Sequence, residues 1–384
     1  ITNVGGYGIQ YFQTGSSSVN NCNVRWAHQG GISLYSGTSY SNLSVTGCNV
    51  AQVGRYYGHC SIVDGTGMQG VYVSCLSGVT IADCHTDTTG LAGIKFGGSN
   101  ALIEHNEINY FNDVLDDQGG IYTFQDGTDA SPGTVSLNTI IRNNWVRNGI
   151  GNKLGRTGTR VQSSGIYLDG RKKSTLVQNN LIENCPNNGI HCNNPGDVTV
   201  TGNVIIDCER GLSFMRWYWG SISNLTITQN VVYSSSNTQA RLYYTEGALS
   251  GRSMATAVAA LGTIDSNYYN GTALRMWFVE KYDSFNVATS TNVGYDILDS
   301  TLAGWRNFGA DINSVSISSG TVLAYINTSR IVEYLSLPGS YITKTGATVS
   351  GVQTLQPGQM FFGILSGSTP PPSGVPVRLP FRTY

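Results

Sequence analysis

A glycine followed by a short strand of alternating residues recurs eight times in the first 215 residues. The phrase reads GIQYF at Gly8, GISLY at Gly31, GVYVS at Gly70, GIKF at Gly93, GIYTF at Gly120, GIYLD at Gly165, GIHCN at Gly189 and GLSFM at Gly211. Five of the seven intervals between these glycines are 22 to 27 residues long, and the other two are 39 and 45. A unit this short cannot bury its apolar face alone, so the repeats must stack on one another.

A second repeated slot lies between the glycine phrases, where a polar residue is followed two positions later by an aliphatic one. The slot holds Asn106, Asn144, Asn180, Asn203 and Asn230, with Cys22, Cys48 and Cys84 in the earlier copies. Stacked asparagines at a turn can hydrogen-bond to one another along a solenoid axis. Leucine-rich repeats share the period, but they need spaced leucines that these phrases lack. The two phrases therefore predict an all-β, right-handed parallel β-helix, a single-stranded solenoid.

The period weakens after Asn230, and the last third of the chain reads differently. Asn267 opens what we expect to be one last coil. We divide the chain into a solenoid over 1–324 with loop insertions at 51–67, 147–163 and 235–262, a small β-strand module over 325–366, and a Pro-rich tail over 367–384. The module has alternating strands and turn glycines, and we expect it to cap or flank the helix, because a terminal coil exposes an unpaired edge.

Composition excludes several classes of function. Charged residues make up only 12% of the 384 residues, and the net charge is −1, so the chain lacks the basic surface that nucleic acid requires. No run of 18 apolar residues predicts a membrane span. The opening residues ITNVGGYGIQ contain neither a basic nor an apolar signal region, so we expect them to start inside a folded region or after processing.

The eight cysteines form no C-x-x-C pair, which argues against a zinc site. Cys22, Cys48 and Cys84 share one repeat slot, and Cys185 and Cys208 share another. Stacked coils lie about 4.8 Å apart, so either buried free thiols or disulfides between coils are compatible with the spacing. No motif indicates a cofactor, and we expect none, with a calcium ion left open.

Two columns of side chains should point outward from the strands, because the residue after each repeat glycine points inward and neighbours alternate. The first column is Ser33, Tyr72, Lys95, Tyr122, Tyr167, His191 and Ser213; the second is Gly97, Phe124, Asp169, Asn193 and Met215. We expect both columns to face solvent. Flat rings beside a few convergent polar groups are typical of a carbohydrate cleft.

Asp117 and Asp169 are the candidate catalytic carboxylates, since a glycosidase needs an acid and a second carboxylate. Asp116 and Asp126 are possible substitutes. In register, Asp117 and Asp169 lie at opposite ends of neighbouring strands, about seven residues apart. A flat strand would separate them by more than the roughly 5–9.5 Å that the mechanism requires, so a turn before Gly119 would have to fold Asp117 back. The alternative is that Asp117 is only a turn residue and that Asp169 only caps the end of its strand.

Other residues are candidates for holding substrate. They are Lys95, Tyr122, Tyr167 and His191 on the strands, and Arg216, Trp217 and Trp219 in an aromatic loop. His191 is either a base or an exposed polar residue, and the loop rings either stack on sugars or pack against the chain. The basic turn Arg171, Lys172 and Lys173 either attracts uronates or is simply solvated.

Four segments carry a resemblance to a known group of proteins: DDQGGIYTF (116–124), GIYLDG (165–170), TLAGWRNFGADINSVSI (301–317) and LSLPGSYITKTGATVSGVQTLQPGQ (335–359). They resemble secreted bacterial β-helix enzymes that act on polysaccharides, with glycoside hydrolase family 141 the nearest match, over most of residues 60–365. The resemblance implies a pectate-lyase-like solenoid, fucosyl or xylan-type linkages, and Asp117 and Asp169 as catalytic residues. Gly170 departs from the family, which often has a second Asp there.

The leading hypothesis is an extracellular glycoside hydrolase that acts on a polysaccharide, as a monomer or homotrimer. A polysaccharide lyase that cleaves a uronate polymer would instead need a base such as His191, Tyr167 or Lys95, and a cation or metal ion to neutralise the uronate. A non-catalytic surface or tailspike-type fibre is the third class.

Overall fold

The computed structural model describes residues 1–12, 15–36, 40–56, 67–125, 137–152, 161–170, 172–215, 222–236, 239–247, 254–270, 275–281 and 295–366. Several residues singled out from the sequence lie outside this set, namely Cys60, Asp126, Arg171, Arg216, Trp217 and Trp219, together with the Pro-rich tail.

The chain winds through three parallel sheets as a right-handed β-helix, with its strands numbered along the chain. The first sheet holds β1 (Thr2–Val4), β4 (Asn23–Ala27), β7 (Asn49–Val53), β9 (His85–Thr89), β12 (Glu107–Asn109), β15 (Trp145–Arg147), β18 (Leu181–Glu183), β21 (Val204–Ile206), β24 (Val231–Tyr233), β27 (Tyr268–Asn270) and β30 (Val315–Ile317). The second holds β2 (Tyr7–Phe12), β5 (Gly30–Tyr35), β8 (Val71–Ala82), β10 (Ile94–Ser99), β13 (Gln118–Gln125), β16 (Ser163–Gly170), β19 (Asn188–Asn193), β22 (Arg210–Met215), β25 (Ala240–Gly247) and β28 (Arg275–Lys281), with β29 (Tyr295–Ser300) antiparallel to β28. The third holds β3 (Ser17–Asn20), β6 (Ser41–Thr46), the second half of β8, β11 (Leu102–Glu104), β14 (Thr139–Arg142), β17 (Lys173–Gln178), β20 (Gly196–Thr201), β23 (Leu225–Thr228) and β26 (Gly262–Asp265).

The repeat glycines lie where each coil enters the second sheet, close to the first. A Cβ on Gly165 would lie 2.4 Å from Ile182 Cγ2, and one on Gly189 would lie 2.4 Å from Ile205 Cγ2. The residue after each glycine points inward, as predicted, and Ile166 and its counterparts belong to one buried core that runs along the solenoid. Glycine therefore recurs because a side chain at this corner would collide with the inward-pointing side chains of the first sheet.

The asparagine slot forms a ladder inside the turn between the third and first sheets, which confirms the predicted stacking. Each Nδ2 donates to the Oδ1 of the next asparagine at 2.9–3.0 Å, from Asn106 through to Asn267. Each Nδ2 also donates to a main-chain carbonyl of the preceding coil, as Asn180 does to Ile141 O at 3.0 Å. These bonds satisfy polar groups that would otherwise be costly to bury.

Cysteine continues this ladder toward the N-terminus. The main-chain N–H of Cys84 donates to Asn106 Oδ1 at 2.9 Å, and Cys84 Sγ lies 3.5 Å from Val45 O and 3.3 Å from Ala82 O. All seven cysteines in the described part of the chain are free thiols. Of the two alternatives for these positions, the structure thus shows the ladder of free thiols.

Residues 235–262 are more regular than the insertion that we expected. Strand β25 pairs in parallel register with β22, and β26 pairs with β23. Between them lies α1 (Met254–Leu261), which leads directly into β26. This segment is a further coil with a helix inserted in it, and the expectation of an irregular loop is wrong for its described part. The repeat was hidden because no Gly-aliphatic phrase introduces β25.

The C-terminal end of the solenoid is closed by a short segment around α2 (Leu302–Arg306). The hydroxyl of Thr301 accepts a hydrogen bond from Gly304 N and caps this helix, while Trp305 is fully buried in the solenoid core. Asp311 receives the last asparagine of the ladder, with Asn267 Nδ2 donating to its Oδ1 at 3.1 Å. Neither helix in the described part of the chain is long and apolar enough to cross a membrane.

The last four strands form an antiparallel sheet on the flank of the solenoid, in the order β31 (Val322–Ile326), β34 (Met360–Leu365), β32 (Glu333–Thr343) and β33 (Thr348–Leu355). Ile326, Phe362 and Ile364 pack against a cluster on the first sheet that includes Leu181, Val204, Ile206, Val231 and Tyr233. Arg330 adds bonds of 2.8 Å to Asp83 and Glu104. The module flanks the solenoid, and β31 crosses the expected boundary between residues 324 and 325.

Candidate active site

The two outward columns lie in the register that the sequence predicts. In the first column, Lys95 pairs with Tyr72 and Tyr122, Tyr122 with Tyr167, Tyr167 with His191, and His191 with Ser213. In the second, Phe124 pairs with Asp169, and Asn193 pairs with Met215. The sequence pattern alone therefore places the polar and aromatic candidates side by side on β10, β13, β16, β19 and β22.

The expectation that both columns face solvent is wrong for most of the first column. Tyr72, Tyr122, Tyr167, His191 and Ser213 are all buried. The rings cover one another, with Tyr122 and Tyr167 at 5.3 Å and Tyr167 and His191 at 4.6 Å between centroids. Tyr122 and Tyr167 also pack against Ala92. Rings stacked from coil to coil leave little of their faces open, so a sugar cannot lie flat on them.

Asp169 is the best-anchored carboxylate on this face. Tyr122 OH donates to its Oδ2 at 2.9 Å, while Asn193 Nδ2 and the main-chain N–H of Gly170 donate to its Oδ1 at 2.9 and 2.8 Å. Asn193 Nδ2 also donates to Tyr167 OH at 2.8 Å. The side chain is half-buried at the end of β16. Three donors from three coils hold the carboxylate in one orientation.

The two tyrosines at Asp169 are neutral hydrogen-bond donors. Burial raises the pKa of the Tyr122 and Tyr167 phenols well above their usual range, and the negative charge of Asp169 raises both further. Asp117 acts in the same direction on both phenols. A phenol with such a pKa stays protonated at neutral pH, so these groups orient a carboxylate and do not serve as bases.

Asp117 is exposed and immediately precedes β13. Its φ of 70° and its main-chain hydrogen bond to Gln162 O at 2.7 Å turn the chain sharply before Gln118. Gln118 pairs with Ser163 and Phe124 pairs with Asp169, so the seven-residue separation in register is as predicted. Asp117 nevertheless acts electrostatically on the same two phenols as Asp169. The neighbouring Asp116 accepts a hydrogen bond from Gln162 N at 3.1 Å.

Lys95 and His191 extend the cluster on either side of the tyrosines. Lys95 Nζ lies 5.4 Å from the ring centroid of Tyr72 and 5.7 Å from that of Tyr122, which is within cation–π range. Burial lowers the pKa of the Lys95 ammonium to about 8. His191 Nδ1 lies 2.9 Å from Ser213 Oγ. His191 is buried, so the alternative of an exposed polar residue is wrong.

Two further positions differ from what the sequence suggested. Asn193 belongs to the second column, where the sequence assigns it no role, but it donates to Asp169, and its register beside that carboxylate is the signal for the contact. Lys172, expected in a solvated or uronate-binding turn, is only 1% exposed. Its Nζ lies 5.5 Å from the ring of Phe96, a residue of the solenoid core. The side chain therefore points inward, away from the Asp169 face.

The described residues contain no group of three or more His, Cys, Asp or Glu side chains that could hold a metal ion. The expected loop contribution from Arg216, Trp217 and Trp219 lies outside the described residues. The assembled cluster thus consists of Lys95, Tyr122, Tyr167, Asp169, His191 and Asn193, with Asp117 at its edge.

One family model agrees with this architecture: the model for the right-handed β-helix region matches residues 1–164 and 69–251. Among solved structures, the Dettilon tailspike protein is similar, with 12% sequence identity and a TM-score of 0.31. That match covers 91% of this chain and 66% of the tailspike chain, so this chain spans just under two thirds of that protein's length. No curated protein sequence matches this chain.

Proposed function

Because the chain belongs to the family of right-handed β-helix proteins, we propose that its second sheet carries a polysaccharide-cleaving site with Asp169 and Asp117 as catalytic carboxylates. A fold does not define a function, so the proposal depends on the site. The observation that carries it is the half-buried Asp169 carboxylate, held by Tyr122, Asn193 and Gly170 N. The resemblance of residues 116–124 and 165–170 to glycoside hydrolase family 141 supports this assignment.

The two carboxylates have different surroundings, which suits them to different roles. Asp169 is fixed by three donors, as a group that must approach one face of a sugar should be. Asp117 is exposed and acts from the other end of the strands. Retaining enzymes hold their two carboxyl groups about 5–5.5 Å apart and inverting enzymes about 6.5–9.5 Å apart, so the anomeric configuration of the product tells which arrangement Asp117 and Asp169 adopt around the sugar.

Replacing each carboxylate by its amide tests the proposal. Asp169→Asn and Asp117→Asn should each lower the rate of polysaccharide cleavage about 10²–10⁴-fold, as loss of a general acid or base does. The melting temperature should change little, because the amide keeps the shape. Asp197→Asn is a matched control, since Asp197 is an exposed residue of β20 that accepts a hydrogen bond from Asn224. Full activity in both site variants would contradict the proposal.

A polysaccharide lyase is the second candidate, and Lys95 is the observation that favours it. A lysine with a pKa of about 8 has a larger neutral fraction near pH 7 than an ordinary lysine, and a neutral amine can remove a proton. The raised pKa of Tyr167 argues against that residue as the base. β-Elimination yields an unsaturated sugar that absorbs ultraviolet light. Product without this absorbance indicates hydrolysis, and product with it assigns the site to a lyase.

Location and assembly are part of the same proposal. A polymeric substrate is met outside the cell, so we propose that the protein acts there. A non-catalytic fibre, the remaining alternative, would bind glycans without releasing reducing ends. Light scattering distinguishes a monomer from the homotrimer that a fibre would favour.

A further inference from the structure

The second outward column changes character along the solenoid. Its first members, Phe12 and Tyr35, have ring centroids 5.2 Å apart, and Phe12 is 60% exposed. The next two coils contribute Ser74 and Gly97, which pair with each other. Phe96 pairs with Thr123, so Gly97 and Phe124, each one position further along its strand, are the next two members of the column. Two small residues therefore separate the aromatic side chains of Tyr35 and Phe124.

The gap is longer than one sugar ring, so a sugar unit can lie on the face within it. Tyr35 and Phe124 lie three coils apart, which corresponds to about 14 Å at the usual strand spacing. Phe124 is 51% exposed, in contrast to the buried tyrosines of the first column. Among the described residues, a Cβ on Gly97 would meet only Ser74, whose Oγ would lie 2.8 Å away, so the space above Gly97 is otherwise open. Adding a side chain at Gly97 would therefore fill the gap.

Lys95 supplies a positive charge beside this gap. It lies on the coil of Gly97, and its Nζ lies over the rings of Tyr72 and Tyr122, 5.4 and 5.7 Å from their centroids. With a pKa of about 8, the ammonium still predominates at pH 7. A partly desolvated cation forms stronger contacts with an anion than an exposed one does.

We propose that Tyr35, Lys95 and Phe124 form a subsite for a sugar unit that carries a carboxylate or sulfate group. The subsite lies on the N-terminal side of Asp169, one coil away from it through the pair Phe124–Asp169. It deepens the proposed function by naming an anionic polysaccharide as the substrate class, and it rests on that function only for the position of the bond to be cleaved.

Binding to the Asp169→Asn variant tests the subsite without cleavage. The probes for calorimetry are oligogalacturonate, which carries carboxylates, and carrageenan oligosaccharides, which carry sulfates, each beside its methyl-esterified or desulfated form. At least one anionic probe should bind tenfold or more tightly than its neutral form. Which probe binds distinguishes carboxylate from sulfate. Failure of both anionic probes to bind at millimolar concentration, or equal binding of charged and neutral forms, overturns the proposal.

Variants on the same background assign the effect to the subsite. Lys95→Met should weaken binding of the anionic probe at least tenfold, and Lys95→Arg should retain it. Gly97→Leu should weaken binding while leaving Lys95 in place. Lys173→Met removes an equal charge from β17, outside this face, and should bind as the parent does. Unchanged binding by Lys95→Met contradicts the subsite, whereas full activity of Asp169→Asn contradicts the proposed function alone.

Discussion

The asparagine ladder and the Asp169 cluster are both polar columns with one residue per coil, yet they differ in what repeats. The ladder carries the same residue in six successive coils, and each amide satisfies the next. The first outward column changes from Lys95 to Tyr122, Tyr167 and His191 over four coils. Structural support requires the same bond in every coil, whereas a binding site requires different groups that converge on one ligand.

The two columns also differ in whether all of their buried polar atoms have hydrogen-bond partners. Among the described residues, no ladder asparagine has a buried side-chain atom without a partner. Asn193 beside Asp169 has one, its Oδ1. A buried acceptor without a donor costs free energy, and such costs are concentrated at functional sites. Three substitutions test whether the two columns separate stability from function.

The largest effect should come from breaking the ladder. Asn180→Ala removes the acceptor for Asn144 N–H and Nδ2 and the donor to Ile141 O. Stranding two or more buried groups at about 1–3 kcal/mol each should lower the free energy of unfolding by about 2–6 kcal/mol. Urea unfolding followed by circular dichroism measures this loss.

Asn184→Gly is the control for the ladder. Asn184 is exposed, has a φ of 54° that glycine tolerates, and donates to Asn148 Oδ1 at 3.2 Å. Its loss should cost less than about 1 kcal/mol. Equal destabilisation by both substitutions would show that a hydrogen bond in the internal ladder contributes no more to the free energy of unfolding than an exposed one.

Tyr122→Phe should affect activity more than stability. The substitution removes the hydrogen bond to Asp169 Oδ2 but keeps the ring packed against Tyr167. We expect kcat to fall about tenfold, or about 1.4 kcal/mol in activation free energy, with KM unchanged. Tyr72→Phe in the same column is the control, because Tyr72 lies two coils from Tyr122 and should leave kcat unchanged. A parallel loss in the two variants would assign Tyr122 a packing role only.

The smallest effect should come from extending the ladder. Cys84 Sγ points at Val45 O and Ala82 O, the counterparts of the carbonyls that the asparagines bond. Cys84→Asn should therefore stabilise the protein by about 1 kcal/mol, the net value of a good hydrogen bond. Thermal unfolding measures it. Cys192→Asn places an amide in the core outside the ladder and should destabilise the protein. A loss of stability with Cys84→Asn would mean that the N-terminal coils have no room for an amide.

Much of the fold could be predicted from particular residues. The glycine phrases placed Ile166 and Ile190 inside and Tyr167 and His191 outside, because strand residues alternate. The asparagine slot predicted the ladder, since coils of one period must stack that residue. The coil formed by β25 escaped prediction because it lacks the Gly-aliphatic phrase, and Lys172 pointed inward although its neighbours in sequence are basic.

The candidate site was predicted in register but not in its contacts. The sequence placed Phe124 beside Asp169 and Asn193 one coil further, and the structure agrees. Nothing in the pattern showed that Tyr122 and Tyr167 would be buried, because burial depends on rings from separate coils packing on one another. The exposure of Asp117 likewise depends on the turn that precedes β13.

The repeat by itself determined the solenoid, the inward and outward faces, and the residues that share a column. These follow from local alternation along a strand and from stacking at a fixed spacing, which any stretch of the chain already encodes. Only the tertiary structure decided that Asp169 is held by Tyr122 and Asn193, that the tyrosines are covered, and that the module lies on the flank. Those outcomes depend on contacts between side chains from coils distant in sequence.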